Sequence, residues 1–151
     1  MTAVREGASG SRARTARRGR EVALQTLYCW EVGRVDIEAA VLGCGRLDAP
    51  VAAANAEARA FGEALARGTA RELAAIDPLI ADRAEHWRLP RMAAIDRLIL
   101  RMAVYELLHL PTPPAVVINE AIELAKKFGS DESARFINGV LDAIRRGIDR
   151  D

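Results

Sequence analysis

Residues 95–142 read IDRLILRMAVYELLHLPTPPAVVINEAIELAKKFGSDESARFINGVLD, and their punctuation decides the fold. Pro111, Pro113 and Pro114 stop one apolar run, and Pro114 is placed to open the next, since a missing amide donor costs nothing in a first helical turn. Gly129 then ends that second run, and Ser130 or Asp131 can cap a third. Within each piece the apolar residues recur at helical spacing. The first piece, from Pro90 to about Leu108, carries Ile95, Leu98, Ile99, Met102, Val104 and Leu107 around most of its girth, which predicts a central helix. Val117, Ile118, Ala121, Ile122, Ala125 and Phe128 line the second, and Phe136, Ile137, Val140, Leu141, Ile144 and Ile148 the third. Asn138-Gly139 has hairpin chemistry, but its flanks keep a 3.6-residue period, so Gly139 is read as a close helix–helix contact inside a helix.

Working upstream, residues 15–32 predict a helix with Ala23, Leu24, Leu27 and Tyr28 on one stripe, Thr15 as N-cap and Gly33 as its end. A short helix is expected over 36–42, followed by a loop through Pro50. Residues 51–85 read as helix with a break near Gly68 or at Asp77–Pro78, and 87–90 as a junction. No segment alternates as a strand. The expectation is an all-α fold of about six or seven helices, within the one domain, or two very small lobes sharing a core, that 151 residues allow. Residues 1–13, rich in Ser, Gly, Ala and Arg without an apolar period, are expected to form a disordered basic arm ahead of the helical domain of 14–151.

Charge is balanced overall, with 22 basic and 21 acidic residues, but not evenly spread. Residues 1–20 hold six arginines (5, 12, 14, 17, 18 and 20) against Glu6, a net +5, so the remainder carries −4. A basic arm on a mildly acidic body suits a polyanion. Arginines clustered where a helix begins oppose its dipole unless an anion sits there. No run approaches the ~18 apolar residues of a membrane span, and no signal-type apolar stretch follows the arginines, which predicts a cytoplasmic protein. Cys29 and Cys44 are not in a CxxC, and Cys29 is read as a buried thiol. No phosphate-binding glycine loop, dinucleotide fingerprint or HExxH occurs, His86 and His109 stand beside loop signals, and Glu120 with Glu123 has no nucleophile near it in sequence. These residues give no catalytic constellation, cofactor or metal, and the chain is expected not to be an enzyme.

The residues at the two ends carry a resemblance. Residues 17–30, RRGREVALQTLYCW, resemble the opening helix of the bacterial transcription antitermination factor NusB family, and the block from Ile95 resembles the family through AVYEL, INEAIELAK and FINGVLD. The similarity spans about residues 14–148, and residues 34–70 match only in helical character. The family implies an all-helical fold of two small packed three-helix groups. It implies binding of boxA, a single-stranded RNA element of ribosomal RNA transcripts, together with NusE, a small-subunit ribosomal protein. It also implies assembly with RNA polymerase, NusA and NusG. By that resemblance Arg14, Arg17, Arg18 and Arg20 would meet RNA phosphates. Tyr28 would lie near both RNA and NusE, Glu132 and Phe136 beside the RNA, and Asp96 with Arg97 against NusE. Basic paths and exposed rings are what single-stranded RNA requires. Each residue also has a structural reading: Phe136 as a core aromatic, Glu132 as a first-turn acid, and Asp96 and Arg97 as an exposed edge paired with Arg101 or with solvent. Gly19 departs from the alanine common at that point in the family motif.

Three other readings compete. NusB-like domains also precede a ribosomal RNA cytosine methyltransferase, but a methyl-donor domain of ~200 residues does not fit in this chain. A self-associating helical module, a homodimer with the basic arm as a mere tail, is the main alternative. A double-stranded DNA reader lacks a recognition helix with Arg, Asn and Gln at groove-reading spacing.

Overall fold

In a computed structural model that describes residues 2–44, 55–84 and 88–150, the Ala-, Leu-, Arg- and Glu-rich sequence forms helices throughout. They are α1 (Thr2–Val32), α2 (Ile37–Cys44), α3 (Ala56–Arg71), α4 (Leu73–Arg83), a 3-10 turn (Leu89–Arg91), α5 (Ala94–His109), α6 (Pro114–Phe128) and α7 (Asp131–Arg150). No strand occurs among the described residues, and no described helix is long and apolar enough to cross a membrane. The chain forms two compact units, residues 1–67 and 68–151, with the boundary inside α3. The second unit therefore holds four whole α-helices.

In the first unit α1 buries Val22, Ala23, Leu24 and Leu27, and packs against α2, which buries Ala40 and Val41. The approach of α1 to α3 is set by two glycines. A Cβ on Gly62 would lie 2.5 Å from the Gly19 carbonyl oxygen and 2.7 Å from Val22 Cβ, and one on Gly19 would lie 2.5 Å from Phe61 Cδ1. Gly19 is thus the residue that lets two backbones touch, not merely a weaker helix former. Both shorter helices are capped from just outside. Asp36 Oδ1 accepts the Glu38 amide at 3.2 Å, and Asn55 Oδ1 accepts that of Ala58 at 2.8 Å. Arg67 then grips Glu38 with both arms of its fork, Nε to Oε1 at 2.8 Å and Nη2 to Oε2 at 3.1 Å. That hydrogen bonding favours the ionised carboxylate and draws the Glu38 pKa below its ordinary value.

In the second unit α5 buries Leu98, Ile99, Leu100 and every residue from Met102 to Glu106. It packs against α4, α6 and α7, as its all-round apolar surface predicts. Arg101 leaves this helix to pair with Asp77 of α4 through two bonds, of 2.9 and 3.0 Å. A methyl group at Gly68 would overlap the Tyr105 ring and hydroxyl, so the tyrosine of AVYEL is packed against bare α3 backbone. Ser130 caps α7 as expected, its Oγ accepting the Ser133 amide at 3.1 Å.

Several expectations change. The helix begins at Thr2, so residues 2–13 extend α1 where no order was expected; Ala and Arg favour helix strongly enough to carry Gly7 and Gly10. Thr15 is therefore mid-helix and not a cap, and Arg17, Arg18 and Arg20 lie several turns inside α1, beyond the reach of its terminal dipole. At the other end of α1 the left-handed residue is Arg34, at φ 53°, rather than Gly33. The break after α3 falls at Glu72 rather than at Gly68 or Pro78. Pro78 sits inside α4, where it forfeits one backbone bond while Ile76 and Ile80 on either side are fully buried. Cys29 is half-buried and disulfide-bonded, not a free thiol. The loop through Pro50, the helix start at 51 and the junction at His86 and Trp87 lie outside the described residues.

Gly139 is the clearest correction. It is exposed, and a Cβ there would meet nothing within 4 Å, so no close helix contact explains it. Gly139→Ala is expected to raise stability by about 0.5–1 kcal/mol through helix propensity alone. Gly62→Ala should lower it by about 1–3 kcal/mol through overlap with Gly19 and Val22. Thermal unfolding of the two variants checks both signs together.

Candidate nucleic-acid and partner interface

Two surfaces, one in each unit, hold the residues singled out in the sequence. The first is α1. Arg14, Arg17 and Arg18 are exposed along it. Arg18 Nη1 lies 3.2 Å from Glu21 Oε2, a nearly buried carboxylate on the next turn. Arg20 differs from its neighbours. It is only 5% exposed, and its guanidinium stands 5.6 Å from the centroid of the Phe61 ring, so it faces α3 across a cation–π contact. Tyr28 is 42% exposed and does not join the buried stripe of Leu24 and Leu27. With Val32, Val35 and Leu42, the last 69% exposed, it leaves apolar surface on the first unit.

The second surface is a cavity of about 300 Å³ in the second unit, between the start of α5 and the start of α7. Asp96 and Arg91 line it on one side, and Glu132, Ser133 and Phe136 on the other. Three residues that the sequence suggested for separate tasks, Asp96 for a protein and Glu132 and Phe136 for RNA, thus share one wall-to-wall site. Asp96 stands in the first turn of α5, where the helix dipole favours a carboxylate, and its Oδ1 is buried with no hydrogen-bond partner among the described residues. An unsatisfied buried acceptor costs about 1–3 kcal/mol or more until a donor reaches it, so the cavity is poised for an incoming N–H or O–H. Phe136 is half-buried and offers part of its ring to the same space, while Glu132 is exposed at the rim.

Arg97, expected beside Asp96 at a partner surface, turns back into its own unit. Its Nη1 donates to the Leu89 carbonyl at 2.8 Å and the Met92 carbonyl at 2.9 Å, tying the 3-10 turn to α5. Arg101, the ion-pair partner considered for that edge, is committed to Asp77. Sequence reasoning missed Arg91, exposed beside Phe136 in the cavity lining. No local pattern marks it, because it enters the site only through the 3-10 turn that brings it beside α7.

Arg97→Ala should therefore cost about 1.5–3 kcal/mol of stability, the scale for charge-assisted bonds to backbone carbonyls. Denaturant unfolding measures this directly, and an unchanged midpoint would show the guanidinium to be free for a partner.

The geometry can be set beside known proteins. The model of the NusB family matches residues 17–146. The transcription antitermination protein NusB of Solibacter usitatus is 46% identical over 130 residues, covering 86% of this chain and 88% of that one. That of Citrifermentans bemidjiense is 44% identical over 135 residues, 86% of this chain and 93% of its own. Among solved structures, T. maritima NusB superposes with a TM-score of 0.77 at 36% identity, covering 87% of this chain and 90% of that one. A structure of the antitermination factors NusB and NusE in complex with double-stranded RNA contains a chain that superposes with a TM-score of 0.78 at 25% identity, covering 89% of this chain and 98% of that one. With the family model spanning most of its length and relatives this similar over nearly their whole chains, the protein belongs to the NusB family.

Proposed function

We propose that this chain is a non-catalytic adaptor that binds boxA RNA of ribosomal RNA transcripts together with NusE. Through that complex it supports antitermination by RNA polymerase with NusA and NusG in the cytoplasm. The observation that carries this reading is the cavity that gathers Asp96, Glu132 and Phe136, because an aromatic edge beside the unsatisfied Asp96 Oδ1 suits a splayed base and a donor-bearing partner at one place. Family membership supports it, as does a similar solved chain described in complex with NusE and RNA. On α1, Arg14, Arg17 and Arg18 contact phosphates. Arg20, held over Phe61, contributes by fixing α1 to α3 beneath them. Asp96 and Tyr28 meet the protein partner, and Arg97 holds the backbone that presents Asp96.

The exposed apolar side chains of Tyr28, Val32, Val35 and Leu42 favour a protein contact on the first unit. Self-association as a homodimer is the competing use of that face, and sedimentation at increasing concentration distinguishes a self-associating chain from one that stays monomeric until NusE is added.

Fluorescence anisotropy with labelled boxA-like and scrambled RNAs, with and without NusE, tests the whole reading. Preference for boxA that strengthens with NusE is the expected result. Equal binding of both RNAs, indifferent to NusE, would overturn it. Asp96→Arg should weaken NusE binding by about tenfold or more, the scale of one lost charge-assisted contact, with an unchanged helical circular dichroism spectrum.

A further inference from the structure

Two side chains of the cavity carry opposite charge and do not meet. Arg91 of the 3-10 turn and Glu132 of α7 both line it, and neither makes a side-chain hydrogen bond or ion pair among the described residues. The backbone that presents each is held by other groups. Arg97 ties the carbonyls of Leu89 and Met92, which flank Arg91, and Ser130 caps the turn that carries Glu132. The serine hydroxyls are already engaged, Ser130 Oγ donating to Ser133 Oγ at 3.1 Å. A guanidinium and a carboxylate held apart in one cavity fit a ligand that turns acceptors to the first and donors to the second.

Phe136 narrows the ligand further. It follows Glu132 by four residues, so ring and carboxylate are neighbours on one face of α7. A flat ligand laid against the ring would bring one edge to Glu132 and another to Arg91. Among the four bases of RNA, guanine satisfies both. Its O6 and N7 are adjacent acceptors, the pair that an arginine fork takes bidentately. Its N1–H and N2–H are adjacent donors, which a carboxylate accepts with its two oxygens. Adenine and cytosine each set a ring acceptor beside the amino group, and uracil flanks its one N–H with two carbonyls. Each would turn a lone pair towards Glu132.

We propose that this cavity selects a guanine base of single-stranded RNA, with Arg91 donating to O6 and N7, Glu132 accepting from N1–H and N2–H, and Phe136 stacked against the base. The proposal rests on the RNA-binding reading above and names the base and the two residues that choose it. Asp96 stays with the protein partner.

The test titrates the full chain, with NusE, against uridine tracts of equal length that carry one central guanosine, adenosine, cytidine, inosine or 7-deazaguanosine. Wild type should bind the guanosine tract about tenfold or more tighter than the adenosine or cytidine tract, the scale of a bidentate base contact. Inosine lacks the N2 amine and 7-deazaguanosine lacks N7, so each should lose part of that preference. Arg91→Ala should erase the preference for guanosine over 7-deazaguanosine and keep that over inosine. Glu132→Gln should do the reverse. Arg91→Lys keeps the charge without the fork and should behave as Arg91→Ala does. Arg91→Ala that weakens every tract equally and is restored by Arg91→Lys would make this arginine a phosphate contact and overturn the proposal. Wild type that binds all tracts alike, yet prefers a boxA-like RNA to a scrambled one, overturns guanine selection and leaves the RNA-binding reading intact. Wild type that binds none of these RNAs overturns both.

Discussion

Burial of α5 on nearly all sides is the constraint on which the second unit depends. Leu98, Ile99, Leu100, Met102, Ala103 and Val104 leave no solvent face along the middle of the helix, so α4, α6 and α7 must cover it. Polar groups are then confined to its ends and to partners that can follow them inward. Arg101 reaches Asp77, and Tyr105 lies against Gly68 because only a glycine leaves room for its ring. At the N-terminal end the apolar surface runs out. Among the described residues Asp96 is left with one oxygen buried and unsatisfied, beside the first turn of α7. The cavity is a consequence of the packing: a helix too apolar to be exposed ends in a charged turn that its neighbours do not complete.

The first unit rests on a different device, contact between two backbones at Gly19 and Gly62. This close approach sorts the arginines of α1 by task. The residue beside the contact, Arg20, is drawn into the interior and stacks over Phe61, while Arg14, Arg17 and Arg18 on the opposite side remain outside. Runs of basic residues are commonly read as uniform patches. Here a neighbouring helix and one buried carboxylate divide the run into a structural arginine, a paired one and a set facing solvent.

Helical content and most helix ends were legible because they rest on local chemistry. Pro114 opens α6, Ser130 caps α7 and Gly129 follows α6, as their residue types demand. The failures share one cause. Gly139 and Gly62 are both glycines within helices, and the sequence pattern does not show that a methyl group would meet empty space at one and a backbone at the other. By sequence Pro78 is a candidate break, yet burial of Ile76 and Ile80 holds α4 together through it. Among the site residues, Asp96, Glu132 and Phe136 were each visible through resemblance. Their meeting in one cavity was not, nor was the entry of Arg91 beside them.

By itself the sequence determined an all-helical chain with its basic charge gathered at one end, because helix periodicity, proline and glycine stops and side-chain charge are properties of neighbouring residues. The tertiary structure alone decided which arginines stay exposed, which glycine is a contact, and that Arg97 serves the backbone while Asp96 keeps an oxygen unsatisfied among the described residues. Those outcomes depend on what arrives from distant parts of the chain, and spacing along the sequence carries no record of it.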